Sequence, residues 1–329
     1  MRRLVSSAET VTNLVKVNRI ARFLSGLRVL GPCRVLFMPE RFNLVECAFK
    51  SLQSLEVRGS FQSGLVVEPV ELKPQGTPDD TLAATHMMCK SGCNLLVTFG
   101  GDGTNRLVAM ESGQVPLLPI SAGTNNIFPL SCEGTRAGLV AGIFLKMLNS
   151  ETDLPSGISV TDLVQQHKLL LAETDSWSET ALIDLAISRQ ASLGGRAIWN
   201  ADWLQGVFVT RCAPGASGLC GIPGGVMDIH PLAPHGAAAF LGNRFSVQTI
   251  LTAGKVQTVG LESVERMKPH QLHTMEVSEG TVLADGERVR ELHNEKVRIT
   301  LHPEGPWVLD FKETLAVGLQ HGFFQLRQE

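Results

Sequence analysis

The first half of the chain alternates short apolar segments with segments whose apolar residues recur at helical spacing. Residues 42–55 show that helical period. A second helix is predicted where Thr77 can cap its start, Pro78 can occupy its first position and Gly92 can end it. Strands that alternate with helices predict a parallel sheet flanked by helices. The predicted strands are residues 34–38, 65–72, 95–99 and 116–120.

The second half of the chain has a different pattern. An apolar helix is predicted at residues 135–148, and residues 149–157 form a polar break that contains Pro and Gly. Short alternating segments separated by turn residues follow this break, as is typical of a β-sandwich. These predicted strands are residues 168–172, 181–188, 206–210, 245–252, 258–261, 275–277, 297–301 and 307–311.

The two patterns together predict an α/β protein of two domains. Residues 1–152 are expected to form a Rossmann-like, three-layer domain with a parallel sheet. Residues 153–311 are expected to form the β-sandwich domain. We expect the tail, residues 312–329, to pack back on the first domain.

Composition narrows the classes of function. A chain of 329 residues with a net charge of -3 and no basic stripe is not expected to bind nucleic acid. Its apolar stretches are shorter than the roughly 18 residues that a membrane span needs, so we expect a soluble protein. The seven cysteines are odd in number and show no Cys-x-x-Cys spacing, which indicates reduced thiols in the cytoplasm and no metal site.

The first 30 residues are rich in arginine and lysine, as transit peptides are. However, Ile20, Phe23, Leu24 and Leu27 recur at the spacing of one helix face. We therefore predict an amphipathic helix that belongs to the mature protein. A homodimer is also expected.

A glycine-rich turn, Gly-Gly-Asp-Gly-Thr, occupies residues 100–104, directly after a predicted strand. Its glycines let a ligand approach the backbone, and free N–H groups at the start of the next helix favour phosphate. Asp102 would be repelled by phosphate unless it holds a metal ion or accepts a proton from an attacking hydroxyl. This pattern indicates a kinase, although Gly-Asp pairs also serve as steric and capping residues in strand-to-helix turns.

A second loop follows the next predicted strand and contains Gly123, Thr124, Asn125 and Asn126. Its hydroxyl and amide groups can hydrogen-bond phosphate or ribose oxygens without adding charge. Ligands of open parallel sheets bind beyond the carboxyl ends of the strands, so adjacent loops of this kind are expected to share one crevice.

The turn at residues 100–104 resembles the GGDGT signature of the superfamily that joins NAD kinases, diacylglycerol kinases and sphingosine kinases. With residues 123–126, the chain is similar to the AcoX branch, the acetoin catabolism X proteins. The resemblance implies an NAD kinase-like fold and ATP with Mg²⁺ as cofactors. The cofactor-binding residues that it implies are Gly100, Gly101, Gly103, Thr104, Gly123, Thr124, Asn125 and Asn126.

The expected acceptor side departs from the NAD kinases. Ile183 and Asp184 stand where NAD kinases carry Asn-Glu, which argues against NAD as acceptor. The segment 214–225 resembles the Gly/Ser-rich loop of the family but lacks its tyrosine, because the chain contains no tyrosine. We expect Asp184, Ser217 and Asp285 to bind the substrate.

Asp285-Gly286-Glu287 resembles the Asp-Gly-Glu element of lipid kinases, in which the glutamate activates the acceptor hydroxyl. Asp-Gly between two apolar segments is also a hairpin signal. Both interpretations hold if the hairpin tip carries Glu287 into the cleft. Asp102 and Glu287 are therefore the two candidate catalytic residues, and Asp102 is the favoured base.

The sequence thus predicts an ATP-dependent, AcoX-like kinase that transfers a phosphoryl group to the hydroxyl of a small molecule, linked to acetoin catabolism. One alternative is a lipid kinase of the diacylglycerol or sphingosine type. Another is a regulator that binds nucleotide without turnover.

Overall fold

The computed structural model describes residues 11–56, 64–123, 126–149, 159–190, 200–252 and 254–325. Its helices are α1 (Asn13–Leu27), α2 (Leu44–Glu56), α3 (Pro78–Lys90), α4 (Asp102–Glu111), α5 (Gly134–Asn149), α6 (Gly221–Gly224) and α7 (Phe311–Gln320). The first four strands are β1 (Cys33–Phe37), β2 (Leu65–Pro69), β3 (Leu96–Gly100) and β4 (Leu117–Ser121).

Ten more strands complete the described fold. They are β5 (Val164–Gln166), β6 (Leu169–Glu173), β7 (Ser178–Ala181), β8 (Asp184–Ser188), β9 (Leu204–Val209), β10 (Gly236–Thr252), β11 (Lys255–Met267), β12 (His273–Ala284), β13 (Glu287–His302) and β14 (Trp307–Leu309).

The N-terminal region is the predicted parallel α/β structure. β1 pairs with β2, and β3 pairs with β4, both in parallel. Helix α1 packs against α2 and α5, whereas α3 packs against α4. The helix predicted from Ile20, Phe23, Leu24 and Leu27 is confirmed, since all four side chains are buried.

The predicted start of α3 is also confirmed. Thr77 is the N-cap residue and Pro78 occupies the first turn. The carboxylate of Asp80 accepts backbone N–H groups of Gln75 at 3.0 Å and of Gly76 at 2.6 Å. The start of this helix is therefore determined by residues that are close to it in the sequence.

The C-terminal region is an eight-stranded, sandwich-like antiparallel sheet with the strand order β11-β10-β9-β8-β12-β13-β6-β7. Side chains alternate between two buried clusters along its strands: Ala237 and Ala239 of β10 face one cluster, and Ala238 faces the other. The predicted strands at 245–252, 258–261, 275–277 and 297–301 are parts of much longer strands. Their lengths were wrong because the flanking polar residues extend the hairpins beyond the apolar core.

Segments from the second half of the chain also join the N-terminal region. β14 pairs in parallel with β4 at Val308 and Leu117, and antiparallel with β5. Helix α7 packs against α5, where a Cβ at Gly318 would lie 2.7 Å from Ile143. Through β14 and α7, the chain returns from the antiparallel sheet to the region that contains β3 and β4. No helix in the described part of the chain is long and apolar enough to span a membrane.

Candidate active site

Asp102 joins the two loops that follow β3 and β4. It is the first residue of α4, and its carboxylate accepts the backbone N–H of Ile127 at 3.1 Å and of Phe128 at 2.8 Å. These bonds place the two loops side by side, and a ligand crevice shared by them stays a prediction. Thr124 and Asn125 lie outside the described residues.

The glycines of the first loop leave no room for side chains. A Cβ at Gly101 would lie 2.9 Å from Oδ1 of Asn126, and a Cβ at Gly100 would lie 2.6 Å from the Cβ of Thr104. The Asn126 side chain is held in turn, because its Nδ2 donates to the hydroxyl of Ser121 at 3.0 Å. The glycines thus let neighbouring side chains, Asn126 among them, approach the backbone at the start of α4 closely.

The hairpin predicted at Asp285 and Gly286 is confirmed. These residues have φ angles of 48° and 77°, which are the positive values of a type I′ turn between β12 and β13. The buried Asp285 carboxylate accepts backbone N–H groups of Leu182 at 2.9 Å and Ile183 at 2.8 Å. Asp285 thereby fixes the turn that precedes β8, in addition to any contact with a substrate.

The tip of this hairpin reaches the glycine-rich loop. A Cβ at Gly103 would lie 3.1 Å from Oε1 of Glu287. Glu287 is half exposed, with 53% of its side chain accessible. The two candidate catalytic carboxylates thus flank one glycine, Asp102 from within α4 and Glu287 from the opposite sheet.

Arg106 connects α4 to the antiparallel sheet. Its guanidinium lies 2.9 Å from a Glu179 oxygen, 3.5 Å from a Glu287 oxygen and 3.9 Å from an Asp285 oxygen. The arginine side chain is only 6% exposed. Sequence reasoning missed Arg106, although it follows Asp102 by four residues and so lies on the same helix face.

The site is rich in buried acid. Burial raises the pKa of Asp102 and Asp184, and it raises the pKa of Asp285 to about 7. The charge of Asp285 further raises the pKa of Asp184, whose Oδ1 is buried without a hydrogen-bond partner. These carboxyl groups therefore hold protons more readily than free aspartates do.

Arg211 is a second buried cation that sequence reasoning missed. It follows β9 and lies over the ring of Phe128, 5.4 Å from the ring centroid. One guanidinium nitrogen lies 3.0 Å from Nδ1 of His167. The available signal was a charged residue directly after a strongly apolar predicted strand.

Ser217 lies on the loop between β9 and α6 and forms a β-bridge with Ile250. Burial raises the pKa of the thiol of Cys220, three residues later, and the nearby carboxylate of Asp184 raises it further. The segment that resembles the Gly/Ser-rich loop therefore leads into the acidic cluster. The substrate-binding roles of Ser217, Asp184 and Asp285 remain predictions.

The parallel α/β region, its glycine-rich loop and the facing antiparallel sheet define a protein of the NAD kinase-like class. The family model of the ATP-NAD kinase N-terminal domain matches residues 19–132. The model of the acetoin catabolism protein X C-terminal domain matches residues 168–304. Acetoin catabolism protein X of Cupriavidus necator is 30% identical over 308 residues, which cover 92% of this chain and 84% of that protein. The chain belongs to the acetoin catabolism protein X family.

Proposed function

We propose that this protein is an ATP-dependent kinase that transfers a phosphoryl group to the hydroxyl of a small molecule in acetoin catabolism. The observation that carries the proposal is the approach of the hairpin tip to the glycine-rich loop, with Glu287 against Gly103. A phosphate-binding turn and a half-exposed carboxylate from another sheet can hold a donor and an acceptor side by side. Positioning of this kind is the main task in phosphoryl transfer.

The phosphates of ATP would lie against the backbone at the start of α4. Gly100, Gly101 and Gly103 expose that backbone, and the N–H groups of the first helical turn favour negative charge. Thr104 and Gly123 border the same crevice, and Asn126 would orient phosphate or ribose oxygens. We assign the same task to Thr124 and Asn125 from the sequence alone.

Asp102 would accept the proton of the attacking hydroxyl. Its raised pKa suits a base that must gain a proton during the reaction. Glu287 is the rival base, because it lies against Gly103 of the same glycine-rich loop. Asp184, Ser217 and Asp285 would form the acceptor side of the site.

The residues of the site suit Mg²⁺ only when the ion is bound to the phosphates of ATP. In the described part of the chain, no group of three histidine, cysteine or carboxylate side chains could hold a metal ion. Mg²⁺ in kinases is bound largely by substrate phosphates and water, with one or two carboxylates. Asp102 lies within the proposed phosphate-binding turn and Glu287 lies against Gly103, so these carboxylates would help to hold the ion, which would supply charge neutralisation there.

The acceptor is expected to differ from NAD. The side chain of Ile183 belongs to the apolar core, so it offers no polar group where NAD kinases present asparagine. A small hydroxyl compound such as acetoin suits the metabolic role named for the Cupriavidus relative. A lipid alcohol is the second candidate, favoured by the position of Glu287 in its Asp-Gly-Glu turn.

Purified protein with ATP and Mg²⁺ should release ADP when the correct acceptor is supplied. The panel should contain acetoin, related small hydroxyl compounds, NAD, and vesicles that carry diacylglycerol or sphingosine. ADP release with a small hydroxyl compound supports the proposal. ADP release only with vesicles would show that the protein is a lipid kinase. Nucleotide binding without turnover on any acceptor would instead favour a regulator.

A further inference from the structure

Arg211 is a buried cation at the junction of the two regions. It stands between β9 and the loop that contains Ser217, and it is 7% exposed. Its guanidinium lies over Phe128, whose backbone N–H is bonded to Asp102. Arg211 therefore lies beside the loop that Asp102 holds, although it directly follows a strand of the antiparallel sheet.

The charge of Arg211 is poorly compensated. Among the described residues, no carboxylate lies within 4.0 Å of its guanidinium, so Asp102 and Asp285 act on it only from a greater distance, and its buried Nε has no hydrogen-bond partner. The Nε of Arg106 also lacks a hydrogen-bond partner, but three carboxylates lie within 4.0 Å of that guanidinium, which is the contrast with Arg211. A buried guanidinium without a paired anion is unfavourable, so a bound anion would stabilise this arrangement.

His167 sets the direction of the guanidinium. Burial and the charge of Arg211 lower the pKa of His167 to about 3, so the imidazole is neutral at pH 7. Its Nδ1 can then accept a hydrogen bond from Arg211 at 3.0 Å. The centroid of the Phe128 ring lies 5.4 Å from the guanidinium carbon, and the Nε–H group is left for another partner.

We propose that Arg211 binds phosphate oxygens of the ligand that the loop at residues 100–104 holds. This inference rests on the proposed function. Arg211 would supply the site with a cation that neither the glycine-rich loop nor the acidic cluster provides. The planar fork of arginine matches phosphate oxygens, whereas the surrounding carboxylates repel them. Arg211 would thus offset the charge that Asp102 and its neighbours place beside the phosphate chain.

The test compares three variants in calorimetric titrations with ATP, adenosine and inorganic tripolyphosphate. Arg211→Gln should weaken binding of ATP and tripolyphosphate by roughly tenfold to a hundredfold, the usual contribution of a hydrogen bond between charged groups. Adenosine, which carries no phosphate, should bind as it does to the wild type. Arg211→Lys should recover part of the loss, because the charge is kept without the fork.

Arg290→Gln is the matched control. Arg290 also stacks on an aromatic ring, Trp177, and also has a buried Nε without a partner, but it is paired with Glu295. Its loss should leave the affinity for ATP and tripolyphosphate unchanged. An equal loss of affinity in Arg290→Gln and Arg211→Gln would overturn the inference, because the effect would then be general to removal of a stacked arginine.

A wild-type measurement covers the case in which Arg211→Gln does not fold. Tripolyphosphate should shift the arginine Nε–H resonance that is missing from the ¹H–¹⁵N spectrum of Arg211→Lys. An unmoved resonance, or ATP affinity unchanged in folded Arg211→Gln, contradicts the role of Arg211. If the wild type binds tripolyphosphate but not ATP, the kinase proposal fails while the anion site at Arg211 stands.

Discussion

The carboxylate of Asp102 accepts the backbone N–H of Phe128 at 2.8 Å, so the first residue of α4 holds the loop that follows β4. The residue proposed as base therefore also organises the crevice. Substitution of Asp102 is expected to affect both loop geometry and proton transfer. Experiments on this site must separate those two effects.

Gly101→Val should abolish nucleotide binding. Gly101 is the N-cap residue of α4, and even a Cβ at this position would lie 2.9 Å from Oδ1 of Asn126. The larger valine side chain would displace Asn126 and cover the N–H groups at the helix start. Isothermal titration with ATP measures the effect.

Gly113→Ala is the control for that experiment. Gly113 has a φ of 54° beyond the far end of α4, and open space surrounds it. Alanine there should lower stability by about 1 kcal/mol without a change in ATP affinity. A folded Gly101→Val protein that binds ATP with wild-type affinity would show that the nucleotide lies elsewhere.

NAD phosphorylation should be weak or absent. Specificity for NAD needs polar partners, and Ile183 is fully buried while its N–H is bonded to Asp285. The assay follows NADP⁺ formation with ATP and Mg²⁺. A turnover on the order of 1 to 10 per second, typical of enzymes acting on their own substrate, would contradict the expectation.

Arg106→Gln should destabilise the fold by about 3 kcal/mol or more, because it leaves buried carboxylates without their cation. Arg22→Gln is the matched control: Arg22 lies 3.8 Å from Glu133, and both side chains are well exposed. That exposed pair should contribute less than about 1 kcal/mol. Urea unfolding of both variants gives the comparison, and equal losses would show that Arg106 does not hold the two regions together.

The contribution of Asp285 to stability should fall as pH rises from about 4 to about 7. Burial raises its pKa to about 7 in the folded protein, compared with about 3.9 for a free aspartate. In this window the folded state keeps a proton that the unfolded chain releases, so rising pH favours unfolding. Above pH 7 the contribution should be constant.

Comparison with Asp285→Asn reports this titration together with its effect on Asp184, whose pKa burial and the charge of Asp285 raise. The difference in unfolding free energy, wild type minus variant, should decrease with pH by about 1.4 kcal/mol for each unit of the pKa shift. Denaturant titrations at pH 5, 6, 7 and 8 measure it. A difference that stays constant across this range would show that Asp285 is ionised throughout.

The local part of the fold was predictable from the sequence. Thr77 and Pro78 specify the start of α3 through capping chemistry, and Asp285 with Gly286 specifies a hairpin through its positive φ angles. Each of these signals acts within a few residues. The same locality explains why the glycine-rich turn was placed correctly between β3 and α4.

Long-range pairing was beyond the sequence pattern. Nothing in the residues near Val308 indicates that β14 pairs with β4 across almost 200 residues of chain. The partners of Arg106 and Arg211 depend on that crossing and on the long hairpin, so these arginines were not recognised as parts of the site. The proximity of Glu287 to Gly103 was likewise only a possibility until the two regions were placed together.

The two candidate bases, Asp102 and Glu287, should differ in their contribution to the reaction rate. Asp102→Asn should lower turnover by at least about 100-fold, since a positioned base typically contributes roughly 100-fold to 10,000-fold. Glu287→Gln should lower it by about tenfold or less on the same scale. The physical reason is position: Asp102 lies at the helix start where phosphate is expected, whereas Glu287 is half exposed and already paired with Arg106 at 3.5 Å.

Single-turnover assays with saturating ATP measure the chemical step for both variants. Because Asp102 also holds the backbone of Ile127 and Phe128, ATP affinity must be measured in parallel. Asparagine keeps one acceptor oxygen for these N–H groups, so affinity should change little while the rate falls. A large loss of ATP affinity with an unchanged chemical step would make Asp102 a purely structural residue. The reverse ranking of rates would assign the base to Glu287 and favour the lipid kinase alternative.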